Sequence, residues 1–305
     1  MAIIEDVPGV EISIHVAGAP AKEHDDPEPD EMPNKCFLSS TYIECVDNQA
    51  FSFRYKVDKT YDWGHKDHWL KLNFYLGAKR CKSSLIKASS TRSQPATGEV
   101  QNQVEFNALT NKWYSHKFVF NAVEKVDDAD KNRVEEDKKI AKDLGVLKVE
   151  VWRCTVRPDH DQPSRAQKSG SSIGPSGRGL PPIAEKAFKG KEISHGASLD
   201  EGEPIENRPS QNPSRQRYLT WKLPEDNGPL AVYMFKYRSR EALKKEWIIP
   251  RSRSPSPIPG RTAEPKSAVK RECSVELDVA SVKSKRKRAK TDEDDDLPVV
   301  DLTGL

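Results

Sequence analysis

The sequence has no uninterrupted apolar run approaching about 18 residues, so no segment is long enough to cross a bilayer as a helix. Cysteine is scarce. Cys36, Cys45, Cys81, Cys154 and Cys273 are odd in number, and no pair has the Cys-x-x-Cys spacing. Neither a disulfide framework nor a zinc site is suggested. No Gly-x-Gly-x-x-Gly loop is present to cradle a phosphate. No nucleophile elbow is suggested either, because the glycines at 170–179 fall in a Ser/Gly-rich linker rather than between a strand and a helix. The first residues, Met1 to Asp6, carry acid where a secretory leader carries base. The chain therefore reads as intracellular and soluble.

Hydrophobic residues are also short in supply, at 35% against 32% charged residues. That mixture indicates a folded part diluted by polar segments that cannot bury a core. The net charge of +3 is unevenly placed. From Arg251 onward there are 12 Lys/Arg and 10 Asp/Glu, which leaves 38 and 37 for the first 250 residues. A body with net charge +1 argues against a domain built chiefly to grip nucleic acid.

What is present is mostly strand. Val10, Ile12, Ile14 and Val16 alternate with polar neighbours, as on a half-buried strand. Phe51, Phe53, Tyr55 and Val57 alternate in the same way after an Asp47-Asn48-Gln49 turn, and their rings read as core. Leu70 to Ile86 reads as a hairpin around Gly77, and Gln103 to Val126 has strand character. Asp127 to Leu144 predicts one amphipathic helix with a thin stripe of Val134, Ile140, Ala141 and Leu144, stopped at Gly145. A buried strand follows over Val146 to Val156. Pro229 to Tyr237 is a late strand, and Ser239 is placed to cap a short helix over Arg240 to Trp247. Gly18 to Asn34 reads as an exposed loop, and Ser89 to Asn102 as polar and turn-rich.

About eight strands and one or two helices, without strand–helix alternation, predict a mainly β domain. The expected fold is an antiparallel β-sandwich-like domain over residues 4–250, followed by a disordered C-terminal tail over 251–305. Two flexible internal loops are expected over about 158–182 and 202–216.

Four motifs resemble an uncharacterised fungal family, a β-rich domain of unknown function. They are Val7-Pro8-Gly9-Val10, Tyr61-Asp62-Trp63-Gly64-His65, Gly190-Lys191-Glu192-Ile193-Ser194-His195-Gly196 and Tyr237-Arg238-Ser239-Arg240-Glu241-Ala242-Leu243. The resemblance covers roughly Ile4 to Pro250 and implies a fungal origin. It brings no catalytic, cofactor or metal residues.

His65 and His68 are two imidazoles three positions apart, but no third metal ligand is indicated by spacing. Ser194 and His195 are adjacent, which does not make a catalytic pair. Trp113, Trp152 and the Phe51/Phe53/Tyr55 set have rings that could stack on bases, but they lack interleaved basic residues on a clearly exposed face. No cofactor is expected.

The tail carries the clearest signals. It lacks aromatics. Ser254-Pro255 and Ser256-Pro257 lie beside Arg251 and Arg253 and suit proline-directed phosphorylation at Ser254 and Ser256. Lys283, Lys285, Arg286, Lys287, Arg288 and Lys290 form a basic run. Lys270 and Arg271 precede it by eleven intervening residues, the spacing of a two-part nuclear import signal. Val299, Val300, Asp301 and Leu302 follow the acids Asp294, Asp295 and Asp296 and resemble a SUMO-interacting motif. Such a segment binds by adding a strand to a sheet edge, with the acids facing cations beside it. Thr291, followed by acids, is a candidate phosphosite that would strengthen that face, and Lys270 sits in a pattern for modifier attachment.

The reading is a nuclear, non-enzymatic interaction protein. Its expected partners are SUMO or SUMO-modified proteins and an import receptor. Two other readings stay open: a nucleic-acid-associated nuclear protein, and an enzyme of unknown type on a β scaffold.

Overall fold

The computed structural model describes residues 1–30, 36–127, 130–158, 182–188, 193–206 and 218–251. In chain order the strands are β1 (Ala2–Ile3), β2 (Val10–Val16), β3 (Ala19–Pro20), β4 (Glu23–Asp25), β5 (Phe37–Glu44), β6 (Ala50–Val57), β7 (Trp69–Leu76), β8 (Lys79–Lys87), β9 (Ala96–Val100), β10 (Asn102–Asn107), β11 (Lys112–Ala122) and β12 (Lys125–Val126). Helix α1 (Lys131–Asp143) leads into β13 (Val146–Pro158), β14 (Ile183–Ala184), β15 (His195–Leu199), β16 (Glu203–Ile205), β17 (Tyr218–Lys222), β18 (Ala231–Arg238) and helix α2 (Arg240–Lys245).

Two large sheets result. One runs β1-β2-β6-β11-β10, with β3, β9, β15 and β16 attached. The other runs β4-β5-β18-β13-β7-β8, with β17 on β13. The two sheets share one apolar core. Its largest members come from both: Ile12, Phe53, Phe118 and Phe120 from the first, and Leu70, Phe74, Val149, Tyr233 and Phe235 from the second. Phe53 meets Phe74 at 5.4 Å between ring centroids, and Phe120 meets Tyr237 at 4.9 Å. Each fully buried aromatic contributes roughly 1.5–3 kcal/mol of transfer free energy. The fold class read from the sequence, a mainly β sandwich-like domain with two helices, is the one observed.

Alternation located strands such as β2 and β13 because one face of each is buried. Val10, Ile12 and Ile14 are sealed in the core while Glu11, Ser13 and His15 are half-buried. The expected hairpin is β7–β8, with Gly77 at φ +58 in its turn and a register shift between Phe74 and Tyr75. Ser239 caps α2 as expected, its hydroxyl accepting from the Ala242 N–H. Ser239→Ala is expected to lower stability by about 1 kcal/mol, readable in a urea melt. An unchanged midpoint would show that this cap carries no weight.

Several expectations need correction. Eighteen strands are found among the described residues, not about eight, because strands of two to five residues are too short to show a period. Ala96–Val100, expected as turn, is β9 and pairs along β6. Gly18 to Asn34 is not simply a loop: β3 and β4 lie in it. Glu203–Ile205 forms β16 against β11 inside a stretch expected to be a loop. The helix buries a different stripe. Ala141 and Leu144 are inside, but Ile140 is exposed while Asp137 is buried, accepting from the Ala184 N–H at 2.8 Å. A free strand N–H on β14 needed an acceptor, and that need outweighed the apolar pattern.

One pairing is parallel within the large sheets, and no local signal announces it. β5 and β18 lie side by side from Phe37↔Ala231 to Glu44↔Arg238. This joins early and late chain at the middle of the second sheet. The strands and the core fall within Met1–Arg253, and residues 252–305 lie outside the described residues.

Candidate interaction surface

The motif residues are joints of the fold. Gly9 has φ +79, and a Cβ there would meet the Tyr61 backbone nitrogen at 2.4 Å. The Val-Pro-Gly-Val turn is therefore seated against the Tyr-Asp-Trp-Gly-His turn, and the Gly9 carbonyl accepts from the Asp58 N–H at 2.9 Å. Tyr233 then ties the second sheet to the first, donating to the Val10 carbonyl at 2.9 Å. The Tyr237 hydroxyl oxygen accepts from two backbone N–H groups, Gly145 at 3.2 Å and Ala197 at 2.8 Å. That single atom links β18, the end of α1 and β15.

The histidines are occupied in the same way. His68 is buried and shares a 3.0 Å bond between Nε2 and the Tyr61 hydroxyl. Its Nδ1 lies 2.6 Å from the His65 carbonyl. A carbonyl only accepts, so Nδ1 carries the proton and Nε2 accepts from tyrosine. Burial pushes the Tyr61 hydroxyl well above the usual tyrosine range, which keeps it neutral as a donor. His65 faces outward to Glu225 at 3.2 Å, and Lys66 bonds the same carboxylate. Hydrogen bonding by Lys66 pulls Glu225 down to about 2. His195 bonds its neighbour Ser194 at 2.8 Å, and burial lowers its pKa. Among the described residues, no group of three His, Cys, Asp or Glu is placed to hold a metal ion. Burial raises all four described thiols, Cys45 and Cys81 to about 12 and Cys154 to about 11, so they stay protonated near neutral pH.

These joints hold one end of the second sheet. Arg153 of β13 binds Asp226 through two nitrogens, one of them at 3.1 Å. That pair and the Lys66–Glu225 bond fix the turn after β17. Beside it, β17 pairs with the last residues of β13, from Cys154↔Lys222 to Pro158↔Tyr218. On one face of this ribbon Tyr218 meets Trp69 at 5.4 Å between ring centroids. Lys222 lies 4.5 Å over the Trp152 ring, and Lys71 donates to the Thr220 hydroxyl at 3.0 Å. On the other face Arg157 lies 5.7 Å over Trp221. Tyr218, Leu219 and Trp221 are 40%, 46% and 46% exposed, unusual for side chains of this size.

Sequence reading missed this surface. Arg153 is the one basic residue next to Trp152 along the chain, but Lys71 and Lys222 reach the tryptophan from β7 and β17. The one available signal was the run Tyr218-Leu219-Thr220-Trp221, four strand formers in a row. A second polar assembly was also missed. Lys236 lies 2.7 Å from Asp26, whose side chain is 1% exposed, and 3.4 Å from Asp30. This anchors the segment after β4 across β18.

The tail residues singled out by sequence lie outside the described residues: Ser254, Ser256, Lys270, Arg271, Lys283, Lys285, Arg286, Lys287, Arg288, Lys290, Thr291, Asp294, Asp295, Asp296, Val299, Val300, Asp301 and Leu302. Among the described residues no helix is long and apolar enough to cross a membrane.

Fold and surface together define a two-sheet β domain whose motif residues lock strands and whose exposed end carries rings and cations. The chain belongs to the family described as a domain of unknown function, DUF7918, which it matches over residues 9–252. No curated protein and no solved structure matches it.

Proposed function

We propose that this chain is a nuclear, non-enzymatic interaction protein of fungal origin. Its β domain acts as a binding module, and its C-terminal segment engages SUMO or SUMO-modified partners. The observation that carries the reading is the succession within residues 283–302 of a basic run, an acidic run and Val299-Val300-Asp301-Leu302. The basic run, with Lys270 and Arg271, addresses the nucleus through an import receptor. The apolar end adds a strand to SUMO, and Asp294 to Asp296 set orientation and on-rate. Phosphorylation at Thr291 adds charge to the same face, and Ser254, Ser256 and Lys270 are further modification points.

Titration of labelled SUMO with the full chain tests the tail. Val299→Ala/Val300→Ala/Leu302→Ala is expected to weaken binding about tenfold or more. Equal and negligible binding by both proteins would reject the SUMO contact. Replacing Lys285, Arg286, Lys287 and Arg288 together by alanine is expected to shift a fluorescent fusion out of the nucleus. An unchanged distribution would reject the import assignment.

A further inference from the structure

The edge of β17 has features that its fold position does not require. It is a five-residue strand, about 17 Å long, paired only with β13 among the described residues. Its other edge therefore presents backbone donors and acceptors. Strand edges of this kind are ordinarily blunted by lysine, proline or a bulge. Here Tyr218, Leu219, Thr220 and Trp221 are strand formers, and Lys222 alone guards the end.

Charge complementarity identifies the occupant. Lys71 and Lys222 lie on one face of the ribbon and Arg157 on the other. Among the described residues, none of the three has a carboxylate partner; their contacts are the Thr220 hydroxyl and the rings of Trp152 and Trp221. Side chains of an added strand alternate between the two faces. Acidic side chains would thus meet cations on both, while apolar ones would lie against Tyr218 and Trp221. Bases suit this surface less well. The ring faces that would stack on them already carry Lys222 and Arg157, and the first 250 residues have a net charge of only +1.

We propose that the open edge of β17 is a docking site for an extended acidic peptide, which joins the second sheet as an additional strand. Arg157, Lys71 and Lys222 select its acids, and Tyr218 and Trp221 receive its apolar residues. The site belongs to the domain, so a failed SUMO titration would leave it untouched.

Fluorescence anisotropy with the full chain tests it, using three labelled probes: a repeating Glu-Glu-Val-Val peptide (the Glu-Val probe), which places acids and valines on both faces of a strand, a repeating Lys-Lys-Val-Val peptide (the Lys-Val probe) and oligothymidine. The Glu-Val probe is expected to bind saturably. Arg157→Glu/Lys222→Glu should weaken it about tenfold, and should gain affinity for the Lys-Val probe, a result that an unfolded variant would not give. Trp221→Ala should weaken the Glu-Val probe with little change in salt dependence. Absent saturation, indifference to the charge reversal, or preference for oligothymidine would each overturn the proposal, the last in favour of single-stranded nucleic acid.

Discussion

Tyr237→Phe is expected to cost about 3 kcal/mol although it removes one oxygen. The oxygen accepts from the Gly145 and Ala197 N–H groups, and Tyr237 is 2% exposed. Without it, two backbone donors lose their partner where water has little access. Each unsatisfied buried donor costs about 1–3 kcal/mol. The loss also falls at a junction. Gly145 ends α1 at φ +80, and Ala197 belongs to β15 on the opposite sheet. Urea unfolding of the two proteins gives the difference, and amide exchange at Gly145 and Ala197 gives its location. A change below about 0.5 kcal/mol would show that water replaces the hydroxyl there.

The second large effect concerns Lys236 and Asp26. Lys236→Met is expected to lower stability by about 3 kcal/mol, because it leaves the Asp26 carboxylate buried without its main partner. Ser40 and the Glu28 N–H still bond that carboxylate, so the loss stays near the low end for broken buried pairs. Lys236→Met/Asp26→Asn should recover part of it, since no unpaired charge remains. The pair also sets a pH window. Burial pushes the Asp26 carboxyl up, but hydrogen bonds from Lys236 and Ser40 outweigh it, and the pKa ends below the usual aspartate value. A depressed carboxyl contributes stability that is present above the ordinary aspartate pKa and lost as pH falls through the lowered one. For Lys236, burial pulls down, but the Asp26 bond outweighs it and the pKa ends raised. Its contribution is present below the ordinary lysine pKa and lost as pH rises through the raised one. The difference between wild type and Lys236→Met should therefore be flat near neutral pH and shrink at both extremes. A difference independent of pH down to strong acid would contradict the pairing.

These two effects fall where local pattern carried least information. Phe51 and Phe53 could be assigned to the core from sequence, because a strand with one buried face must alternate. Ser239 could be assigned to a cap, because a helix start needs a side-chain acceptor near its free N–H groups. Asp26 could not be placed, because its partner Lys236 is an ordinary polar residue on a strand far along the chain. The aromatic surface was hidden for the same reason. Trp69, Trp152 and Tyr218 are separate in sequence, and only pairing of β7, β13 and β17 brings Lys71 and Lys222 among them. The family motifs were legible as motifs but not as joints, since the contact of Gly9 with Tyr61 depends on how two turns meet.

By itself the sequence determined the β class, the long strands, the hairpin at Gly77 and the cap at Ser239. Each rests on neighbours within a few residues, where side-chain period and backbone preference act directly. Tertiary structure alone decided the parallel joint of β5 with β18, the burial of Asp137 and Asp26, the bonds made by Tyr237 and the grouping of rings and cations along β17. These depend on strand pairings between distant segments, which form only when the whole core closes and buried polar groups must find partners across it.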